Sequence, residues 1–165
     1  MVRKLVKKIF SICFTFLAKV SAKNFGADIK ANGLTILTQK TSVGGNVHFN
    51  GMRIFGKGKV SIGSNFHSGK NCKIITDIHN YHGTKLPYDE TYIIKDVVIA
   101  DNVWLGMDVT VLGGVTIGEG AIIQAGSVVV SDIVRLGIAG GHPAKIFSSR
   151  DEEHYKALMD SKSFF

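Results

Sequence analysis

Two of the six histidines, His79 and His82, stand three residues apart at the head of a polar run, residues 79–92 (HNYHGTKLPYDETY), that follows an aliphatic stretch. A neutral imidazole titrates near physiological pH, so either ring could take a proton from an alcohol of far higher pKa during a group transfer. A carboxylate, Asp77 or Asp89, could fix the tautomer of such a base, and the sequence does not choose between them. The plain alternative is that both histidines are solvated loop residues. His67 and His142 read as structural or surface residues. Tyr81, Lys85, Tyr88 and Glu90, in the same polar run, are expected to shape the pocket for whatever is acted upon.

The elements that must position this run are legible as a period. From Ile93 onward an aliphatic residue recurs at every sixth position: Ile93, Ile99, Leu105, Val111, Ile117, Ile123, Val129. A second set follows four residues after each: Val97, Val103, Val109, Val115, Ala121, Ser127, Ile133. A period of six fits neither the 3.6 of a helix nor the alternation of a hairpin strand. It fits a solenoid, in which each hexad gives a short strand and a turn, three hexads close a triangular coil, and the aliphatic position points into a continuous core. Small residues at the next position, Ala100, Gly106 and Gly118, are expected to allow the tight corner. The register continues upstream through Ile62, Ser68 and Ile74, and more loosely through Val43 and Phe49. Between Ile74 and Ile93 the spacing is nineteen, so a loop, residues 79–92, is extruded there. Solenoids carry function on such interruptions because the coils are occupied with packing.

The chain of 165 residues is read as one β-helical domain, 23–147, preceded by a basic amphipathic helix at 1–22 and followed by a helical tail, 148–165. Within that tail, residues 151–161 are expected to form a short helix capping the last coil. At the start, Val2, Leu5, Val6, Ile9, Cys13, Phe16, Leu17 and Val20 form one helical stripe, and Arg3, Lys4, Lys7 and Lys8 lie largely off it. This pattern suits peripheral association with an anionic membrane surface. A helix packed on the domain or on a partner subunit, and a leader cleaved after Ala22, are the other readings. The net charge of +7 favours anionic ligands or surfaces, but no nucleic-acid module signature is present. Two cysteines, Cys13 and Cys72, with no CxxC pair, suit a reducing and hence cytoplasmic setting.

The run DNVWLGMDVTVLGGVTIGEGAIIQAGSVVVSDI, residues 101–133, and AGGHPAKIF, residues 139–147, resemble the hexapeptide-repeat acetyltransferases, closest in type to the O-acetyltransferases of surface polysaccharide and lipopolysaccharide. The resemblance covers most of residues 60–150, and VWLG, AGS and GxPAK are its specific pieces. It implies an all-β fold, a left-handed parallel β-helix of hexapeptide repeats, with the N-terminal amphipathic helix and short C-terminal helix added. It further implies a homotrimer with active sites between subunits, acetyl-CoA as co-substrate, no required metal, and a saccharide hydroxyl as acceptor. The family's base matches His79, with His82 as its rival. Lys145 matches the basic residue expected to meet coenzyme A phosphates, with Arg150 assisting, and Ala125 and Gly126 match the small residues along the pantetheine arm. For the oxyanion, the backbone N–H of Gly106 is the expected donor, since no side chain obstructs approach there. Trp104 is expected as a wall of the cofactor cleft or as packing between subunits. The chain departs from the family at Val130-Ser131-Asp132, commonly Thr-Lys-Asp, and at His142, commonly Asn.

Two other classes compete. A metal-dependent hydratase of the γ-carbonic-anhydrase kind shares the fold, but His67, His79 and His82 lack the spacing of its three zinc ligands. A non-catalytic β-helix scaffold would need no histidine on an extruded loop. The basic start adds the expectation that the acceptor is lipid-linked and met at the inner face of the membrane.

Overall fold

The computed structural model describes residues 2–165, and its body is a parallel β-helix with three faces. One face stacks Asn24–Phe25, Thr41–Val43, Val60–Ile62, Val97–Ile99 and Thr116–Ile117, with Ile133 bridging to Ile117. The second stacks His67–Ser68, Trp104–Leu105, Ile122–Ile123 and Gly137–Gly141, and the third Cys72–Ile75, Thr110–Leu112 and Val128–Val129. In the first coils the strands Ile29–Ile36 and Val47–Phe55 bend round a corner and serve both of these faces, pairing His48 with His67 and Met52 with Cys72.

The six-residue register is the core. Ile99, Leu105, Val111, Ile117, Ile123 and Val129 are each at most 1% exposed. The second set is buried as well. Ser127 takes an apolar position because its hydroxyl donates to the Gln124 carbonyl (2.7 Å) and accepts from the Gly141 N–H (3.1 Å). The register begins one hexad later than expected, since Ile93 lies in an antiparallel strand, Tyr92–Ile94, outside the coils.

The corners differ from expectation too. The left-handed residues stand three after each aliphatic residue: Asn65 (φ 55°), Asn102 (φ 60°), Asp108 (φ 57°), Gly120 (φ 67°) and Gly126 (φ 72°). Asn and Asp tolerate this region better than other residues with side chains. Successive corner amides also join: Asn46 Nδ2 donates to Asn65 Oδ1 (2.9 Å), and Asn65 Nδ2 to Asn102 Oδ1 (2.9 Å). The glycine after the aliphatic residue serves close approach of coils instead. A Cβ on Gly106 would stand 2.5 Å from the Ala125 nitrogen, and one on Gly118 2.5 Å from that of Arg135.

The first coil is covered by α1 (Val2–Ser21), which docks through its small and hydroxyl-bearing face. Ala18 is buried, the Thr15 hydroxyl accepts from the Ala31 N–H (2.9 Å), and the Ser21 hydroxyl accepts from the Leu37 N–H (3.0 Å). Phe14 packs half-buried against the core, and the other large apolar side chains of α1 are left outside. At the other end α2 (Glu152–Asp160) forms, with Asp151 as N-cap accepting from the His154 N–H (2.7 Å). It does not cap the last coil as expected. The strand Ala144–Ser149 pairs antiparallel with Gly137–Gly141 and so occupies the open edge. α2 packs along the side of the stack, where buried Tyr155 donates to Glu119 Oε1 (2.8 Å) and accepts from Asn102 Nδ2 (2.8 Å). Burial, then the bond to Glu119, pushes the Tyr155 phenol up to about 12.

Candidate active site

The extruded segment is a hairpin. Asp77–His79 pairs antiparallel with Tyr92–Ile94, placing His79 opposite Tyr92 at the last rung before the tip. Its insertion leaves the stack intact: Ile62 pairs with Ile99, Ser68 with Leu105 and Ile74 with Val111, each 37 residues apart, against 18 for Ile99 and Ile117. The tip is fastened by two residues that the sequence reading passed over or cast differently. Asn80 donates from Nδ2 to Thr91 Oγ1 (3.0 Å) and accepts from the His82 N–H on Oδ1 (3.0 Å). Asp89 is buried, and its carboxylate accepts from the Thr91 hydroxyl (2.5 Å), the Thr91 N–H (2.9 Å) and the Thr84 N–H (3.1 Å). These bonds, the Thr91 hydroxyl first, hold its carboxyl below the usual carboxylate range. Gly83 has no side chain because the Asp89 carboxylate fills that space.

His79 lies between two tyrosines, stacked on Tyr88 (centroids 3.9 Å, interplanar 13°) and tilted against Tyr92 (4.7 Å, 33°). The Lys57 ammonium sits over the far tyrosine, 4.2 Å from the Tyr92 centroid. Among the described residues, His79 Nδ1 is the single buried side-chain polar atom without a hydrogen-bond partner. Neither expected carboxylate orients the ring. Asp77 Oδ2 accepts from the Lys57 N–H (3.1 Å), and Asp89 is saturated by Thr84 and Thr91. His82 is exposed and tilted against Tyr81 (centroids 4.3 Å, interplanar 48°), while Lys85 and Glu90 form an exposed ion pair. Tyr88 alone of the four expected pocket residues touches His79.

The remaining candidates fall elsewhere on the chain. Trp104 is half exposed on the second face, in register with His67 and Ile122. With Arg150, Tyr155 and the tail residues Phe164 and Phe165 it lines a cavity of about 330 Å³ that no hairpin residue reaches. The N–H of Gly106 is not free for an oxyanion, because it donates to the Ile123 carbonyl (2.8 Å) within the ladder. Ala125 and Gly126 form an exposed turn, and a Cβ built on Gly126 meets nothing within 4 Å. The Ser127–Gly141 bond holds beside it the turn that leads into the closing strand and its exposed Lys145. Arg150 is not with Lys145. It lies beyond the other end of the closing strand, ~17 Å away at ~3.4 Å per residue, and its Nε donates to the Gly120 carbonyl (2.6 Å).

Fold and hairpin together make a hexapeptide-repeat β-helix with an extruded histidine-bearing arm. Residues 96–131 match the family described as Bacterial transferase hexapeptide (six repeats). The galactoside O-acetyltransferase of Escherichia coli is 33% identical over 99 residues, 58% of this chain and 48% of that enzyme. The chloramphenicol acetyltransferase of Agrobacterium fabrum is 35% identical over 68 residues, 41% of this chain and 32% of that one. The chain thus spans about half or less of the length of the curated relatives it matches. A hexapeptide-repeat acetyltransferase of Vibrio cholerae superposes with a TM-score of 0.64 at 25% identity, covering 81% of this chain and 78% of that one. That enzyme has also been solved with acetyl coenzyme A.

Proposed function

We propose that this protein is an acetyl-CoA-dependent O-acetyltransferase whose acceptor is a saccharide hydroxyl, on a surface polysaccharide or its lipid-linked precursor. The observation that carries the reading is the orphaned, buried Nδ1 of His79 on a hairpin extruded from an otherwise regular repeat. A buried nitrogen without a partner is rare, and it marks a place that a ligand or neighbouring chain completes. The names of the relatives, which act on galactoside and chloramphenicol, point to small hydroxyl-bearing acceptors.

Acetyl-CoA, when bound, supplies an activated acyl group. The exposed Ala125–Gly126 turn leaves an unobstructed path for a pantetheine arm, and the adjacent Lys145 ammonium offers a counter-charge for phosphate. His79 takes the acceptor hydroxyl proton as the oxygen attacks the thioester carbonyl, and returns a proton to the departing thiolate. Tyr88, by stacking, and Tyr92, tilted against the ring, hold the imidazole plane. Because the hairpin and the Trp104 cavity are apart within one chain, a homotrimer in which one subunit's hairpin meets a neighbour's face would complete the site. The oxyanion donor lies outside Gly106.

Thiol release from acetyl-CoA in the presence of candidate saccharides, native chain against His79→Ala, tests this. Loss of turnover by roughly a hundred- to ten-thousandfold with unchanged melting is expected. Near-normal turnover in the variant removes His79 as base. No turnover and no coenzyme A binding by the native chain returns the protein to the scaffold class.

A further inference from the structure

α1 presents to the rest of the chain the face opposite to the one its composition would bury. Ser11, Thr15 and Ala18, with Phe14 beside them, lie against the first coils, while Leu5, Ile9, Ile12, Phe16 and Val20 are 60, 52, 63, 64 and 52% exposed. At 3.6 residues per turn these five side chains fall within about a quarter of the circumference, centred opposite Ala18. A contiguous apolar arc of this kind on a well-packed molecule marks an interaction surface. Its charge is one-sided: Arg3, Lys4, Lys7, Lys8 and Lys19 are the ionisable groups of Val2–Ser21 besides Cys13, and no carboxylate is among them.

We propose that this face of α1 docks on an anionic phospholipid bilayer. Laid in the interface plane, the apolar arc, which continues through exposed Val2, Val6, Leu17 and Phe10, enters the boundary of headgroups and acyl chains, with Arg3 on one border and Lys8 and Lys19 on the other. The helix lies on the surface instead of crossing it: no helix among the described residues is long and apolar enough to span a membrane. A second copy is the poorer occupant, since pairing two such helices brings ten cations together with no carboxylate from either helix to balance them. Docking in this way sets the first coil, against which α1 packs, at the bilayer. The proposal stands on the geometry and charge of α1 and is independent of acetyl transfer.

Cosedimentation of the full chain with vesicles tests it, comparing phosphatidylcholine alone with phosphatidylcholine mixed with phosphatidylglycerol. Binding to the mixed vesicles, and much weaker binding to the neutral ones, is expected. The variant Arg3→Gln/Lys8→Gln/Lys19→Gln, which removes the cations bordering the arc, should lose roughly a hundredfold in partition, and Leu5→Gln/Ile9→Gln/Phe16→Gln at least as much. His79→Ala should bind as the native chain does. Absence of binding to anionic vesicles, or unchanged partition in both triple variants, overturns the proposal. So does a fall in oligomer size caused by the apolar variant without any vesicle binding by the native chain, because the face then belongs to a second copy.

Discussion

Ser127 and His79 meet the same problem in opposite ways. Each places a polar atom out of water, but the serine hydroxyl has two partners in the turn and the imidazole nitrogen has none. The other notable histidines, His48 and His67, lie tilted together at 4.5 Å on the second face, each meeting the Phe165 ring edge-on. Burial first, then Lys30 for His48 and His48 for His67, lowers both their pKa values. A histidine with a depressed folded pKa binds its proton more readily when unfolded. Stability is therefore unaffected above the ordinary value of ~6.5 and falls as pH drops below it, until the folded pKa is passed. We expect the melting temperature to decline on acidification through this window, and His48→Gln/His67→Gln to remove that part of the decline. A pH profile of melting identical in the double variant would contradict it. His79 was legible in sequence because a polar run broke an aliphatic period. Its partners were not, since stacking of Tyr88 and Tyr92 depends on hairpin register and tip geometry.

At the scale of elements, the hairpin is an arm paired by its ladder and fastened at the tip by Asp89. With the folded pKa of Asp89 depressed, the carboxylate bonds are intact at neutral pH and are lost as pH falls through that lowered value. Replacing Asp89 by Ala should speed amide hydrogen exchange at Thr84 and Thr91 markedly, while coil amides stay protected. Unchanged exchange at those two positions would show that the tip is held by something else. The period of six foretold the coils and the excursion, yet helical periodicity could not foretell which face of α1 docks. That choice is made by Thr15 and Ser21, whose hydroxyls satisfy edge N–H groups of Ala31 and Leu37. A stripe of large apolar residues records a hydrophobic face and says nothing of its occupant. Likewise α2 was foreseen as a helix, but its place beside the stack follows from Tyr155 meeting the corner at Asn102 and Glu119.

For the whole molecule, stability is a sum of coil-on-coil contacts, and these set the spacing. Gly106 and Gly126 separate spacing from turn geometry. Gly106→Ala forces a methyl against the backbone of the next coil and disturbs the Gly106–Ile123 bond, so a loss of about 2–4 kcal/mol is expected in chemical denaturation. Gly126→Ala meets open space, and only its left-handed backbone costs about 1 kcal/mol. Equal losses would mean that turn conformation governs both. The sequence reading placed glycine at the first position for turning, when the αL residue comes two positions later as Asn, Asp or Gly. The error arises because both roles favour glycine and only coordinates distinguish them.

The excursion lengthens one coil from 18 residues to 37 without shifting a single pair of the rungs on either side of it. Since the free energy of closing an excursion grows only with the logarithm of its length, its size and content are nearly free variables for the scaffold. The prism therefore works as a chassis: an arm of another length or chemistry could be exchanged at residues 77–94 without redesigning a coil, and new acceptors can be explored by insertion alone.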